Sequence, residues 1–81
     1  MTLLEAIARR TKKLMQEKNI SQSMLETKST IHHKIMNKLL ECKYKDLDAR
    51  LIFKLCKGFD ISVDMFFNDE LFNFANIEIK K

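Results

Sequence analysis

No proline occurs in this chain of 81 residues, and Gly58 is its single glycine. The shortage of both excludes collagen-like segments and Gly/Ser linkers. It also speaks against a turn-dense β-sandwich, because tight hairpins use glycine where φ is positive. Long apolar runs are missing too. None exceeds three residues, as in Leu51-Ile52-Phe53, whereas a membrane span needs about 20. The first residues carry no stretch of about 7–15 apolar residues such as a signal peptide requires, so an intracellular, cytoplasmic protein is expected. Cysteine is scarce. Cys42 and Cys56 make no disulfide framework and fit a reducing compartment.

What remains favours helices. Hydrophobic residues at 46% and charged residues at 32% are ordinary for a folded domain, and the length allows one domain. The formal charge is +4, unevenly laid out. Residues 28–45 hold five lysines against one acid, Glu41, while residues 60–70 hold four acids and no base. A basic middle beside an acidic end suggests one face for a polyanion, although lysines also decorate most small domains simply as solvated surface.

Thr2-Leu3-Leu4-Glu5 has the capping-box spacing. Leu4, Ile7, Ala8, Thr11, Leu14 and Met15 then recur at helical spacing, with Arg9, Arg10, Lys12, Lys13 and Glu17 on the other face, which predicts a helix over 3–18. Asn19 is a candidate left-handed stop. Ser21 caps a second helix, about 22–28, with Met24 and Leu25 as its buried pair. After Ser29-Thr30-Ile31 a third helix runs over 32–41. Ile31, Ile35, Met36, Leu39 and Leu40 mark its inner side, and Lys34, Asn37, Lys38 and Glu41 its outer side. Asp46 or Asp48 caps a fourth helix, about 47–58, with Leu47, Leu51, Ile52, Leu55 and Cys56 inward and Gly58 near the end, where a left-handed residue is wanted. Ser62 caps a fifth, about 63–70, with Val63, Phe66 and Phe67 inward. From Phe72 the helical period is lost. Phe72/Phe74 and Ile77/Ile79 alternate, as in a short strand-like arm or a loose tail.

Metal and catalytic chemistry find little support. His32-His33 point about 100° apart on a helix, and no zinc-type Cys or His spacing accompanies them. There is no Gly-rich phosphate loop, and so small a bundle leaves little room for a pocket. Neither an enzyme, a cofactor nor a small-molecule ligand is expected.

The two short helices joined by a tight turn have helix-turn-helix geometry, in which the second helix can lie in a DNA major groove. Ile20-Ser21-Gln22-Ser23-Met24-Leu25, Ser29-Thr30-Ile31 and Ile35-Met36-Asn37-Lys38-Leu39 resemble the helix-turn-helix of the Cro/phage-repressor (XRE-like) regulators. Leu55 to Phe67 resembles the end of that family's fourth helix and the start of its fifth. The resemblance covers about residues 4–70. It departs at Glu26, where the family usually has a small residue, so Glu26 must turn outward or find a partner. It departs also at Thr30, where glycine is usual and a positive φ would strain threonine. His32 stands where the usual cap is Ser or Thr, and Cys42 where glycine commonly follows the recognition helix.

The resemblance implies an all-α, compact five-helix bundle of the lambda-repressor-like DNA-binding type over 1–70, with a C-terminal tail or arm over 71–81. It implies sequence-specific binding of double-stranded DNA by a small, Cro-like transcriptional regulator or minimal repressor of phage or mobile-element type, acting as a homodimer. Gln22 would bond a phosphate. His32, His33, Lys34, Asn37 and Lys38 would face the major groove, and Lys43, Tyr44 and Lys45 would touch the flanking backbone. The chemistry of these side chains agrees, since lysine donates to phosphate or guanine, asparagine pairs with adenine, and histidine can donate or accept. The alternative is a protein-interaction module on the same fold, such as an antitoxin or anti-repressor partner, with the acidic 60–70 segment as its contact surface. A lipid-surface role is weakly supported, because the first helix's apolar side lacks Trp and Phe.

Overall fold

The computed structural model describes residues 1–78. Ile79 of the expected alternation, and Lys80-Lys81 of the expected tail, lie outside them. Five α-helices follow in order: α1 (Leu3–Glu17), α2 (Gln22–Ser29), α3 (His33–Leu40), α4 (Ala49–Phe59) and α5 (Val63–Phe67). Two 3-10 turns, Glu70–Phe72 and Phe74–Asn76, come after them. Among the described residues there is no β-strand beyond an isolated bridge between Thr2 and Glu78, and no helix is long and apolar enough to cross a membrane.

Local hydrogen bonds start each helix. Thr2 and Glu5 form the full capping box: the Glu5 N–H donates to Thr2 Oγ1 and the Thr2 N–H to Glu5 Oε1, both at 3.2 Å. The Thr2 N–H, with the Thr2 hydroxyl donating to the same oxygen at 3.1 Å, holds the Glu5 carboxyl below the usual carboxylate range. Ser21, Asp48 and Ser62 each accept a backbone N–H three residues on. The helix ends are less ordinary. Asn19, Thr30, Cys42 and Asp60 all have φ between 53° and 61°, the left-handed region. Four non-glycine residues therefore perform the turn that glycine performs at lower cost.

Gly58 performs a different task. It is helical rather than left-handed, and buried where α4 meets α2. A Cβ on it would lie 2.8 Å from Leu25 Cδ1 and 2.9 Å from Ser29 Cβ. The expected left-handed glycine is thus corrected: Asp60, with φ 57°, turns the chain, and Gly58 lets the two helices touch. Gly58→Ala is expected to lower stability by about 1–3 kcal/mol through overpacking, partly offset by alanine's better helix propensity of about 1 kcal/mol. Thermal melts check this, and an unchanged midpoint would mean that α2 and α4 do not approach so closely.

The core joins Ile7 and Leu14 of α1, Leu25 of α2, Met36 and Leu39 of α3, four apolar side chains and Cys56 of α4, and Phe66 of α5. Met24 does not belong to it. The residue stands 50% exposed, because neighbours in a helix point about 100° apart and Leu25 takes the inward direction. α4 starts at Ala49 rather than 47, with Asp48 as the cap and Leu47 half-buried ahead of it. α5 stops at Phe67 rather than 70. Its early end frees Asp69 to accept the Leu71 N–H at 2.9 Å and to meet α1.

That meeting corrects the expected outer face of α1. Arg10 is buried, not solvated. Its Nε donates to Phe66 O at 2.7 Å, its second terminal nitrogen to Met65 O at 2.9 Å, and its first to Asp69 Oδ2 at 3.3 Å. Lys13 Nζ reaches the same carboxylate oxygen at 2.7 Å. One guanidinium thus bonds two carbonyls near the end of α5 and ties that end to α1. Beyond it, Phe72 packs edge-on to Phe67, with ring centres 4.8 Å apart, and the Glu78 N–H donates to Met1 O at 2.7 Å.

Candidate nucleic-acid interface

α2, its turn and α3 build the site from local chemistry. α2 ends at Thr30 with φ 61°, an uncommon conformation for a β-branched residue, and the strain expected for threonine there is present. Buried Ser29 steadies the turn, its Oγ accepting the Ile31 N–H at 3.2 Å. Ile31 enters the core. His32 then caps α3, its Nδ1 accepting the Lys34 N–H at 3.1 Å, so the ring carries its proton on Nε2.

Met36 and Leu39 anchor the inner side of α3 and are fully buried, with Ile35 and Leu40 half-buried beside them. On the other side His32, His33, Lys34 and Lys38 are exposed and Asn37 is half-buried. After the helix Cys42 turns left-handed at φ 60°, and the Lys43 and Tyr44 N–H groups both donate to Lys38 O. Lys43 and Lys45 are exposed, while Tyr44 packs partly against the core. Lys43 meets Glu41 at 3.2 Å in the open, a pairing worth little in water.

Gln22 is half-buried and already engaged. Its Nε2 donates to Glu26 Oε2 at 2.8 Å and to Asn37 Oδ1 at 2.6 Å. His33 Nδ1 lies 2.8 Å from the same Glu26 oxygen, and Asn37 Nδ2 lies 3.1 Å from His33 Nε2. Glu26 has therefore found partners rather than turning outward, and Gln22 and His33 hold its carboxyl below the usual carboxylate range. The odd residue at position 26 was visible in the sequence. Its partners, four to seven residues away and on two helices, were not. Among the described residues no group of three or more His, Cys, Asp or Glu side chains could hold a metal ion.

A bundle whose second and third helices pack through a tight turn, the third helix bearing cationic and amide side chains on its open side, defines a helix-turn-helix domain. The family model of the Cro/C1-type HTH DNA-binding domain matches residues 10–69, and the chain belongs to that family. Among curated proteins and among solved structures, none matches it.

Proposed function

We propose that the protein binds double-stranded DNA sequence-specifically as a small, Cro-like transcriptional regulator, with α3 in the major groove. The observation that carries this reading is the open side of α3. It gathers His33, Lys34, Asn37 and Lys38 on a helix whose other side is anchored by fully buried Met36 and Leu39. Anchored in this way, those side chains reach base edges from a rigid base, and His32 adds a donor at the helix start. Lys43, Tyr44 and Lys45 flank the helix and contact the sugar-phosphate backbone in this reading; Gln22, whose two amide N–H groups are taken by Glu26 and Asn37, offers a phosphate its backbone N–H at the start of α2. The regulator represses by occupying its site as a homodimer, whose two recognition helices read half-sites about 10–10.5 base pairs apart.

Selection of bound sites from randomised duplexes tests the reading directly. A two-fold symmetric site with that spacing is expected, and no enrichment would overturn it. Single substitutions separate the two kinds of contact. Lys34→Ala is expected to relax preference at one base position by about 1–3 kcal/mol. Lys45→Ala is expected to weaken binding to all duplexes alike and to lower the salt slope by roughly one counterion. Titrations at several salt concentrations, on selected and scrambled duplexes, check both. Intact discrimination in Lys34→Ala would mean that this lysine reads no base.

A further inference from the structure

The four side chains that join α2 to α3 form a closed circuit, and its directions follow from a single group. A carboxylate only accepts hydrogen bonds. Glu26 Oε2 thus requires a donor from each neighbour, which are Gln22 Nε2 and His33 Nδ1–H. Gln22 Nε2 is then a donor toward Asn37 as well, so Asn37 must present its oxygen to it. The Asn37 amide nitrogen is left facing His33 Nε2, which must carry a lone pair. A neutral imidazole protonated on Nδ1 meets both demands at once.

The circuit also sets what Asn37 can offer elsewhere. An amide has two N–H donors and two oxygen lone pairs. One of each is used within the circuit, and one of each remains. Adenine's major-groove edge asks for that pair, an acceptor for its N6–H and a donor for its N7. A carboxylate also works against phosphate attraction on a surface meant for a polyanion. Glu26, with its side chain only 17% exposed, sits at that surface all the same.

We infer that Glu26 is a specificity-determining positioning residue: through Gln22 and His33 it fixes which end of the Asn37 amide donates and which accepts, and so selects adenine at the base Asn37 faces. This rests on the proposed DNA reading. Glutamine at position 26 would keep the shape and the bonds but remove the direction. Its amide can accept, as the carboxylate does, or donate, in which case every bond of the circuit reverses and the His33 proton moves to Nε2. With the two circuits about equally populated, half of the molecules hold Asn37 correctly, which lowers preference for the adenine site, relative to scrambled duplex, about twofold or more.

The test compares wild type, Glu26→Gln and Asn37→Ala. The first readout is the imidazole nitrogen spectrum of the free protein at about pH 8, where an ordinary imidazole is neutral. Wild type is expected to show His33 protonated on Nδ1, and Glu26→Gln a mixture of tautomers, in a protein that still melts in one cooperative transition. The second readout is base preference. Asn37→Ala is expected to lower preference about 5- to 150-fold at one position, an adenine. Glu26→Gln is expected to lower it about twofold or more at that same position, while affinity for scrambled duplex rises, since the substitution removes a negative charge that faces every duplex alike. A wild-type His33 protonated on Nε2, a base other than adenine at that position, or a Glu26→Gln protein unchanged in tautomer and preference would overturn the role of Glu26 and leave DNA reading intact. A wild type without any base preference would overturn the DNA reading and the role together, whatever the tautomer.

Discussion

Arg10→Ala is expected to destabilise the protein by about 2–4 kcal/mol. Removing one member of a buried ion pair commonly costs about 3–5 kcal/mol, because the partner is left without compensation. Here Lys13, itself half exposed, stays on Asp69 and reduces that cost. The loss includes the bonds to Met65 O and Phe66 O; Met65 O keeps the Asn68 N–H, while Phe66 O is left without its donor. For a domain of this size each kcal/mol moves the melting midpoint by about 4–8 °C, so calorimetry resolves the effect easily. Arg10→Lys should recover only part of it, since an ammonium lacks the planar fork that reaches two carbonyls and a carboxylate at once. A midpoint within a degree or two of wild type would mean that Arg10 is solvated.

The same cluster gives the acid response its sign. The Lys13 ammonium and the Leu71 N–H hold the Asp69 carboxyl below the usual carboxylate range, with the nearby Arg10 adding to this. A depressed carboxyl contributes stability above its unfolded value, near pH ~3.9, and that contribution is lost as pH falls through the folded value. The melting midpoint should therefore fall on acidification below about pH 4. Asp69→Asn should start lower and fall less steeply. Glu5 and Glu26, which are lowered too, account for the slope that remains.

Met36→Ala is the second large effect, expected at about 2–5 kcal/mol. Met36 is fully buried at the centre of α3, so truncation leaves a cavity beneath the helix proposed to read bases. Total stabilities of about 5–15 kcal/mol make this a large fraction. Met36→Leu keeps the volume and should cost less than about 1.5 kcal/mol. If Met36→Ala melts like wild type, the rotational phase of α3 is not the one described.

Much of the bundle was legible because its signals are local. Thr2, Ser21, Asp48 and Ser62 cap helices by bonding an N–H three residues on, and such a bond needs no knowledge of the rest of the chain. The stop at Asn19 and the strained turn at Thr30 were readable for the same reason. Arg10 was misplaced because solvation is the usual fate of an arginine. Yet it lies three residues after buried Ile7 and four before buried Leu14, on the face that turns inward. Gly58 was misplaced because a lone glycine near a helix end most often marks the turn.

The sequence by itself determined the presence and order of the five helices, the caps at Thr2, Ser21 and Ser62, the phase of the buried stripe on α3 and the membership of Leu25, Met36, Leu39 and Phe66 in the core. These follow from hydrogen bonds across three residues and from a period of about 3.6, both written along the chain. Only the tertiary structure decided the close approach at Gly58, the burial of Arg10 against residues 55 to 59 positions away, the early end of α5 and the circuit through Glu26, His33 and Asn37. Each of these depends on which side chain from another element arrives within bonding distance, and distances between elements are set by packing rather than by any one segment's pattern.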